Sequence, residues 1–245
     1  MARNRNHYKK LSILIPAYNE EKTVIALLDK VKSVSIPLEK EIIIINNNSS
    51  DNTGTLVNAW IARNLDEKTR LIIETIPGKG VAVRAGIKVA TGDILVMQDA
   101  DLEYDPADYP ALLKPIIEGV TKVVYGNRLG LKEHKTAYLS FYVGGRIMTI
   151  LGSVIFGQNL KDINTCYKVW TADLTRDMQF QENGFAFDFA EITPFFIASL
   201  RKANLRIMTV PIHYYPRTIE QGKKVSWKDG LYGIGAMLKY RFKYM

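Results

Sequence analysis

Cysteine is nearly absent: Cys166 is the only one in 245 residues. A single thiol cannot close an intramolecular disulfide or build a thiolate metal cluster, so nothing points to an oxidising compartment. Its apolar, β-like neighbourhood marks it as inert. Histidine is almost as scarce. His7, His134 and His213 are too scattered for a metal site, and His213 is expected to pack beside Tyr214 and Tyr215. No window supplies the roughly 18 uninterrupted apolar residues of a membrane span. The nearest, residues 138–157, carries Arg146 near its middle. The apolar run at 11–15 is too short for a signal-peptide core, lacks a small-residue cleavage site and runs straight into Asn19-Glu20-Glu21-Lys22. Neither Gly-x-x-x-x-Gly-Lys-Ser/Thr nor Gly-x-Gly-x-x-Gly occurs. Acidic residues are in deficit, leaving a net charge of +8. That balance implies an anionic partner: a nucleotide, a nucleic acid or an acidic membrane surface. The excess is spread along the chain, with denser patches at 3–10, 223–224 and 239–243, which argues against nucleic acid.

What is present reads as one α/β domain. Apolar runs at 11–15, 42–45, 71–73 and 94–97 predict buried strands. Helical stripes at 21–34, 53–65 and 81–90 alternate with them, and Ser50 or Asp51 is a suitable N-cap for the second. Short strand–helix units argue a parallel, doubly wound sheet. Further on, 122–125 and 165–170 read as strands. Residues 138–156 read as a long apolar helix, and 187–200 as a helix kinked or bounded at Pro194. Two strand-like runs, 205–210 and 212–215, are separated by Pro211. Residues 227–242 close as a basic amphipathic helix. There is no internal repeat and no long linker.

The polar signals gather at strand ends, where open α/β sheets bind ligands. Asp99 and Asp101 follow the fourth strand, with Glu103 two residues on. Paired carboxylates there suit Mg²⁺ or Mn²⁺ held with substrate phosphates, or are ordinary solvated turn chemistry. Pro16-Ala17-Tyr18-Asn19-Glu20 follows the first strand, and Tyr18 can stack on a flat ring. Asn46-Asn47 ends the second. Three such signals on successive strands describe a nucleotide-diphosphate site. Gly78-Lys79-Gly80 before a helix is either a phosphate cradle of backbone N–H groups or a tight turn.

Residues 13–20, then Glu41 to Ile45 with Ser49-Ser50-Asp51-Asn52-Thr53, then Gly92-Asp93 to Asp101, resemble the inverting family 2 glycosyltransferases of GT-A fold. Residues 162–170, 185–191 and 222–230 resemble the dolichyl- and polyprenyl-phosphate sugar (mannose or glucose) synthases without transmembrane segments. The resemblance covers about the whole chain. It implies a GT-A (Rossmann-like), open, mostly parallel twisted sheet with helices on both faces. Residues 1–226 would form the transferase domain and 227–245 a C-terminal helix, in the same domain or at a membrane interface. By the resemblance Pro16, Ala17, Tyr18 and Glu20 line the nucleoside pocket, with Ile45 beside the base. Asp99 and Asp101, with Glu103, hold the metal on the donor diphosphate, and Ala100 lies along the nucleotide. Arg128 faces the sugar or acceptor phosphate. Arg217 and Lys223, or Lys224 in the next register, close over the phosphates. The family usually has two acidic residues where this chain has Asn46 and Asn47. An amide both accepts and donates, so Asn47 leaves the base open.

The implied reaction moves a sugar from a nucleotide diphosphate sugar to a polyprenyl phosphate. A phosphate oxygen is already anionic and needs no strong base. A saccharide hydroxyl would need one, and Asp188 is the candidate, with Glu191 one turn later, unless Asp188 is only a helix N-terminal carboxylate. Residues 138–156 are expected to be a core helix, and 227–242 an interfacial one facing anionic headgroups. The expected location is cytoplasmic, peripheral on the cytoplasmic face of a membrane, with no nucleic-acid partner. Competing readings are a saccharide-hydroxyl transferase, a nucleotidyltransferase and a catalytically silent nucleotide-sugar binder.

Overall fold

The uninterrupted apolar runs become the central strands of one sheet. The computed structural model of the chain describes residues 8–64, 68–131, 138–176, 189–218, 220 and 227–244, without the side chains of 189–192, 195, 227, 229 and 244. Strands β1 (Lys10–Ala17), β2 (Glu39–Asn47) and β4 (Ile94–Met97) bury most of their side chains. A parallel strand covered on both faces needs no polar alternate, hence the runs. β1 pairs in parallel with β2 and β4, and β2 with β3 (Thr69–Glu74). Helices α1 (Val24–Ser33), α2 (Thr53–Asn64) and α3 (Lys79–Val89) make the crossovers. α1 turns Val24, Leu27, Leu28 and Val31 inward at helical spacing. Of the two N-cap candidates for α2, Asp51 accepts from the Thr53 nitrogen at 3.0 Å.

A 3₁₀ turn at Pro106–Asp108 leads into α4 (Tyr109–Ile117), followed by β5 (Val123–Asn127), α5 (Leu139–Phe156), β6 (Lys168–Thr171) and α6 (Asp173–Arg176). Then come α7 (Phe189–Lys202), β7 (Met208–Pro211) and α8 (Trp227–Tyr244). Strand order is β3-β2-β1-β4-β6-β5-β7. The chain winds outward from β1 to β3, then returns over α3 to β4 on the other flank. The carboxyl ends of β1 and β4 therefore border the switch point, where such sheets open a crevice. β6 runs antiparallel to both β4 and β5. The segment preceding β6 thus reaches the same rim as the segments following the parallel strands.

The opposite rim is closed by a buried charge. Glu41 accepts from the Ser12 hydroxyl, from Thr91 N and Oγ1 at 2.9 Å, and from Arg70. Burial opposes its ionisation, but those hydrogen bonds and the Arg70 charge hold the carboxyl below its ordinary value. Ser12 Oγ in turn accepts from Gly92 N at 2.8 Å, tying β1, β2 and β3 to the turn before β4.

Two elements depart from the sequence reading, and one open point, at Pro194, is resolved. Pro211 does not separate two strands; it is the last residue of β7, an edge strand, where a missing N–H breaks no ladder. Residues 212–217 beyond it form a strap, pinned by a Tyr104–Tyr214 bridge. Pro194 lies inside α7. And α5 is not a core helix. It buries Thr149, Gly152 and Phe156 but exposes Leu139, Val143, Ile147, Ile150 and Val154, the last 76% accessible. One side packs on α7 and α8; among the described residues no element covers the other. By length and composition it is able to cross a bilayer. α8 buries Ala236, Met237 and Tyr240 and exposes Leu231, Leu238 and Phe242.

Candidate functional site

β1 delivers Pro16, Ala17, Tyr18 and Glu20 to the switch point. Ala17 is buried and Tyr18 is 48% exposed at the rim. The turn is held from the β2–α2 loop. Glu20 N donates to Thr53 Oγ1 at 2.9 Å and Glu21 N to Asp51 Oδ2 at 3.1 Å, while Asn19 Oδ1 accepts from Ser50 N at 2.8 Å. Asn19 and Asn48 take the left-handed conformation, which asparagine tolerates.

β2 places Asn47 at the rim, where its amide holds the neighbouring loop. Its amide nitrogen donates to Ile76 O at 2.7 Å and Glu74 O at 3.4 Å, and its Oδ1 accepts from Gly78 N at 2.8 Å. Both ends of the amide shape the β3–α3 loop. A carboxylate would satisfy Gly78 N but could not donate to Ile76 O, so this loop needs the amide. Ile45, expected beside the base, is fully buried and packs on Gly86 of α3.

The loop that Asn47 holds leads to a residue the sequence reading left unassigned. Gly78 has φ 132°, which only glycine adopts readily, and α3 begins at Lys79. Lys79 Nζ forms an ion pair with Asp99 Oδ1. The only signal in the sequence was Gly78-Lys79-Gly80 itself.

β4 delivers Asp99, Ala100, Asp101 and Glu103. Ala100 is buried in the turn. Asp101 Oδ1 accepts from Glu103 N at 3.1 Å, and its Oδ2 lies 2.6 Å from Arg217 Nη2. Arg217 also reaches Glu20 Oε2 at 3.4 Å and Glu103 Oε1 at 3.8 Å. So the structure does bring Glu20, Asp101, Glu103 and Arg217 together. Glu103 is engaged by the strap: its oxygens accept from Arg217 N at 2.8 Å and Tyr214 OH at 2.9 Å. It thereby positions Arg217. His213 anchors the same strap, with Nδ1 2.8 Å from Asp108 Oδ1 and its backbone nitrogen 2.8 Å from Oδ2.

Arg128, at the end of β5, does not reach outward. It meets Asp162 from the segment before β6: Nε to Oδ2 at 2.7 Å, Nη2 to Oδ1 at 2.8 Å, backbone N to Oδ2 at 3.2 Å. Its guanidinium lies 5.0 Å from the Tyr214 ring. Burial opposes the Asp162 charge, but Arg128 outweighs it and holds the carboxyl below its usual range. Lys168, beneath the rim in β6, donates to Thr165 O and stands over Tyr125; burial pushes its amine down to about 7. Cys166 is buried, and burial together with the neighbouring Asp99 keeps its thiol protonated. Asp188, Lys223 and Lys224 lie outside the described residues, as does the side chain of Glu191.

Charge at the rim is lopsided. Burial, with Asp99 and Glu103 close by, pushes Asp101 up to about 7 despite Arg217. Burial also opposes the Asp99 charge, yet Lys79 holds that carboxyl low. Among the described residues no three His, Cys, Asp or Glu side chains converge as a finished metal cage. Asp99 and Asp101 are hard oxygen donors nonetheless, the chemistry that Mg²⁺ or Mn²⁺ takes.

The glycosyl transferase family 2 model matches residues 12–170, from β1 through β6. Glycosyltransferase AglJ of Haloferax volcanii is 26% identical over 206 residues, 84% of this chain and 63% of that protein. Undecaprenyl-phosphate 4-deoxy-4-formamido-L-arabinose transferase of Yersinia pestis is 33% identical over 133 residues, 53% of this chain and 41% of that protein. The chain thus spans just under two thirds of the first relative's length and about two fifths of the second's. Among solved structures, glucosyl-3-phosphoglycerate synthase from Mycobacterium tuberculosis with Mn²⁺, UDP-glucose and phosphoglyceric acid aligns with a TM-score of 0.68 and 16% identity, over 96% of this chain and 80% of that one. That likeness establishes the GT-A fold.

Proposed function

The chain belongs to glycosyl transferase family 2, and from that premise we propose that it moves a sugar, with inversion, from a nucleotide diphosphate sugar to a polyprenyl phosphate. The observation that carries the donor half is the Asp99/Asp101 pair at the switch point, facing the Pro16–Glu20 turn and flanked by Lys79 and Arg217. Tyr18 would stack on the base, with Pro16 and Ala17 lining the nucleoside pocket. Asp99 and Asp101 would hold Mg²⁺ or Mn²⁺, which supplies charge neutralisation on the departing diphosphate. Arg217 adds to that stabilisation from the strap that Glu103 orients. A phosphate acceptor attacks with an oxygen that is already anionic, so the reaction asks for no strong base among these residues.

The acceptor half rests on α5 and α8. The exposed stripe of α5 and the exposed Leu231, Leu238 and Phe242 of α8, which packs against α5, offer apolar surface of the kind that marks an interaction site. Exposed Arg146, Lys228, Lys239, Arg241 and Lys243 border it, which fits anionic headgroups. Seated there on the cytoplasmic face of a membrane, the enzyme would meet a lipid-linked phosphate. The Yersinia relative's name, an undecaprenyl-phosphate transferase, supports the same class of acceptor.

The test is a radiolabelled donor panel (UDP-, GDP-, CDP- and dTDP-sugars) with polyprenyl phosphate in vesicles and Mn²⁺. Label should enter the organic phase with wild type and not with Asp99→Asn or Asp101→Asn. Label found solely in water-soluble saccharide, for every donor, would refute the lipid acceptor.

A further inference from the structure

Two cations of the chain stand where a divalent cation would. Lys79 is on Asp99, and Arg217 is on Asp101 and within reach of Glu20 and Glu103. Neither backbone is loosely placed. Lys79 opens α3 directly after Gly78, whose nitrogen Asn47 holds, and Glu103 holds the nitrogen of Arg217. The charged tips, by contrast, sit on flexible stems and can swing while the backbone stays fixed. A divalent ion arriving alone must displace both tips or sit beside two like charges in a poorly solvated rim, where repulsion is strong. A diphosphate arriving with the ion changes the balance. Its oxygens give the ammonium and the guanidinium new anionic partners, with charge-assisted bonds in place of those given up.

We propose that Lys79 and Arg217 are the site's own countercations: they occupy Asp99 and Asp101 until the donor's diphosphate draws them off, so that the divalent cation is taken up with the diphosphate and not ahead of it. This assigns Lys79 a place in donor binding and makes Asn47 the residue that positions it. It also gives the pair a role after transfer, when their return to the carboxylates competes with the bound cation and favours release of the nucleoside diphosphate. The inference rests on the metal-dependent transferase reading above.

The experiment is Mn²⁺ binding by electron paramagnetic resonance and calorimetry, with no donor turnover involved. Wild type, Lys79→Met, Arg217→Met and the double variant are each titrated with Mn²⁺ alone, then with UDP or GDP present. Wild type should take up Mn²⁺ weakly alone and far more tightly with a diphosphate. The double variant should bind Mn²⁺ alone roughly tenfold tighter than wild type, a gain of about 1.4 kcal/mol, with weaker diphosphate binding. Each single variant should show part of the gain, which keeps the test decisive if the double variant does not fold. Equal Mn²⁺ affinity without nucleotide in wild type and every folded variant would overturn the countercation role while leaving the transferase reading intact. Absence of Mn²⁺ binding in all proteins, with and without either diphosphate, would overturn both.

Discussion

Replacing Asp162 with asparagine is the sharpest perturbation of the rim that leaves the donor residues untouched. The Asp162 side chain is 5% exposed and that of Arg128 20%, so the pair is largely screened from water. Removing one partner of a buried pair costs roughly 3–5 kcal/mol, because the other charge is left uncompensated. Asparagine keeps one carbonyl oxygen for the guanidinium fork, which places Asp162→Asn near the lower end, about 2–3 kcal/mol. For a chain of this length that corresponds to a melting temperature lower by roughly 5–10 °C. Differential scanning fluorimetry at pH 7 measures it directly. The pH dependence supplies a second reading. Because Arg128 holds the Asp162 carboxyl below its unfolded value, the stabilisation is complete above about pH 4 and fades as pH falls through the folded value. The gap between wild type and variant should therefore be constant from pH 7 to 5 and close on further acidification. Arg128→Met combined with Asp162→Leu should recover much of the loss, since an apolar pair leaves no charge unpaired. Equal melting at pH 7, or a gap that persists unchanged at low pH, would refute the claim that this ion pair knits β5 to the approach of β6.

Lys168 works in the opposite direction. Burial depresses its amine from 10.5 to about 7, so the folded state carries a cost that is full below pH 7 and is relieved as pH rises toward the unfolded value. Lys168→Met should raise the melting point at pH 7, by as much as about 4 kcal/mol in stability, with the advantage shrinking toward pH 10 in calorimetric scans. Gly92→Ala should destabilise by at least about 2 kcal/mol in urea titrations, because the new methyl would sit 2.7 Å from Ser12 N and 2.5 Å from Ser12 Oγ, and a strand backbone cannot step aside. Ile147→Asp on the bare side of α5 should leave the melting point within about 1 °C, as expected of an exposed position. The same variant should sediment several-fold less with anionic vesicles; unchanged sedimentation would detach α5 from the membrane reading.

The donor half of the fold was legible because its physics is local. β1, β2 and β4 are covered on both faces, so their sequences carry no polar alternation and stand out as runs. Asp99 and Asp101 could be placed at the rim because a strand end locates them whatever the rest of the chain does. Asn47 and Arg128 could not be read the same way. What each side chain meets, the Ile76 and Glu74 carbonyls in one case and Asp162 in the other, depends on loops that return from 27 to 34 residues away. Lys79 was hidden by ambiguity of type, since Gly-Lys-Gly before a helix serves a turn and an anion equally well. α5 misled because composition records how apolar a helix is, not what covers it. Packing on a protein and packing on lipid ask for the same residues.

The reversed strand β6 has a topological corollary. The chain leaves the sheet after β5 and re-enters it as β6, between β4 and β5, with Arg128 and Asp162 at the two ends clasped within 2.7 Å. Such an excursion behaves like a cassette. Its helix, α5, packs on α7 and α8, so changes within the segment should leave the geometry of β1 to β4 in place. On the proposed transferase reading, grafting that segment between relatives would test whether it selects the acceptor.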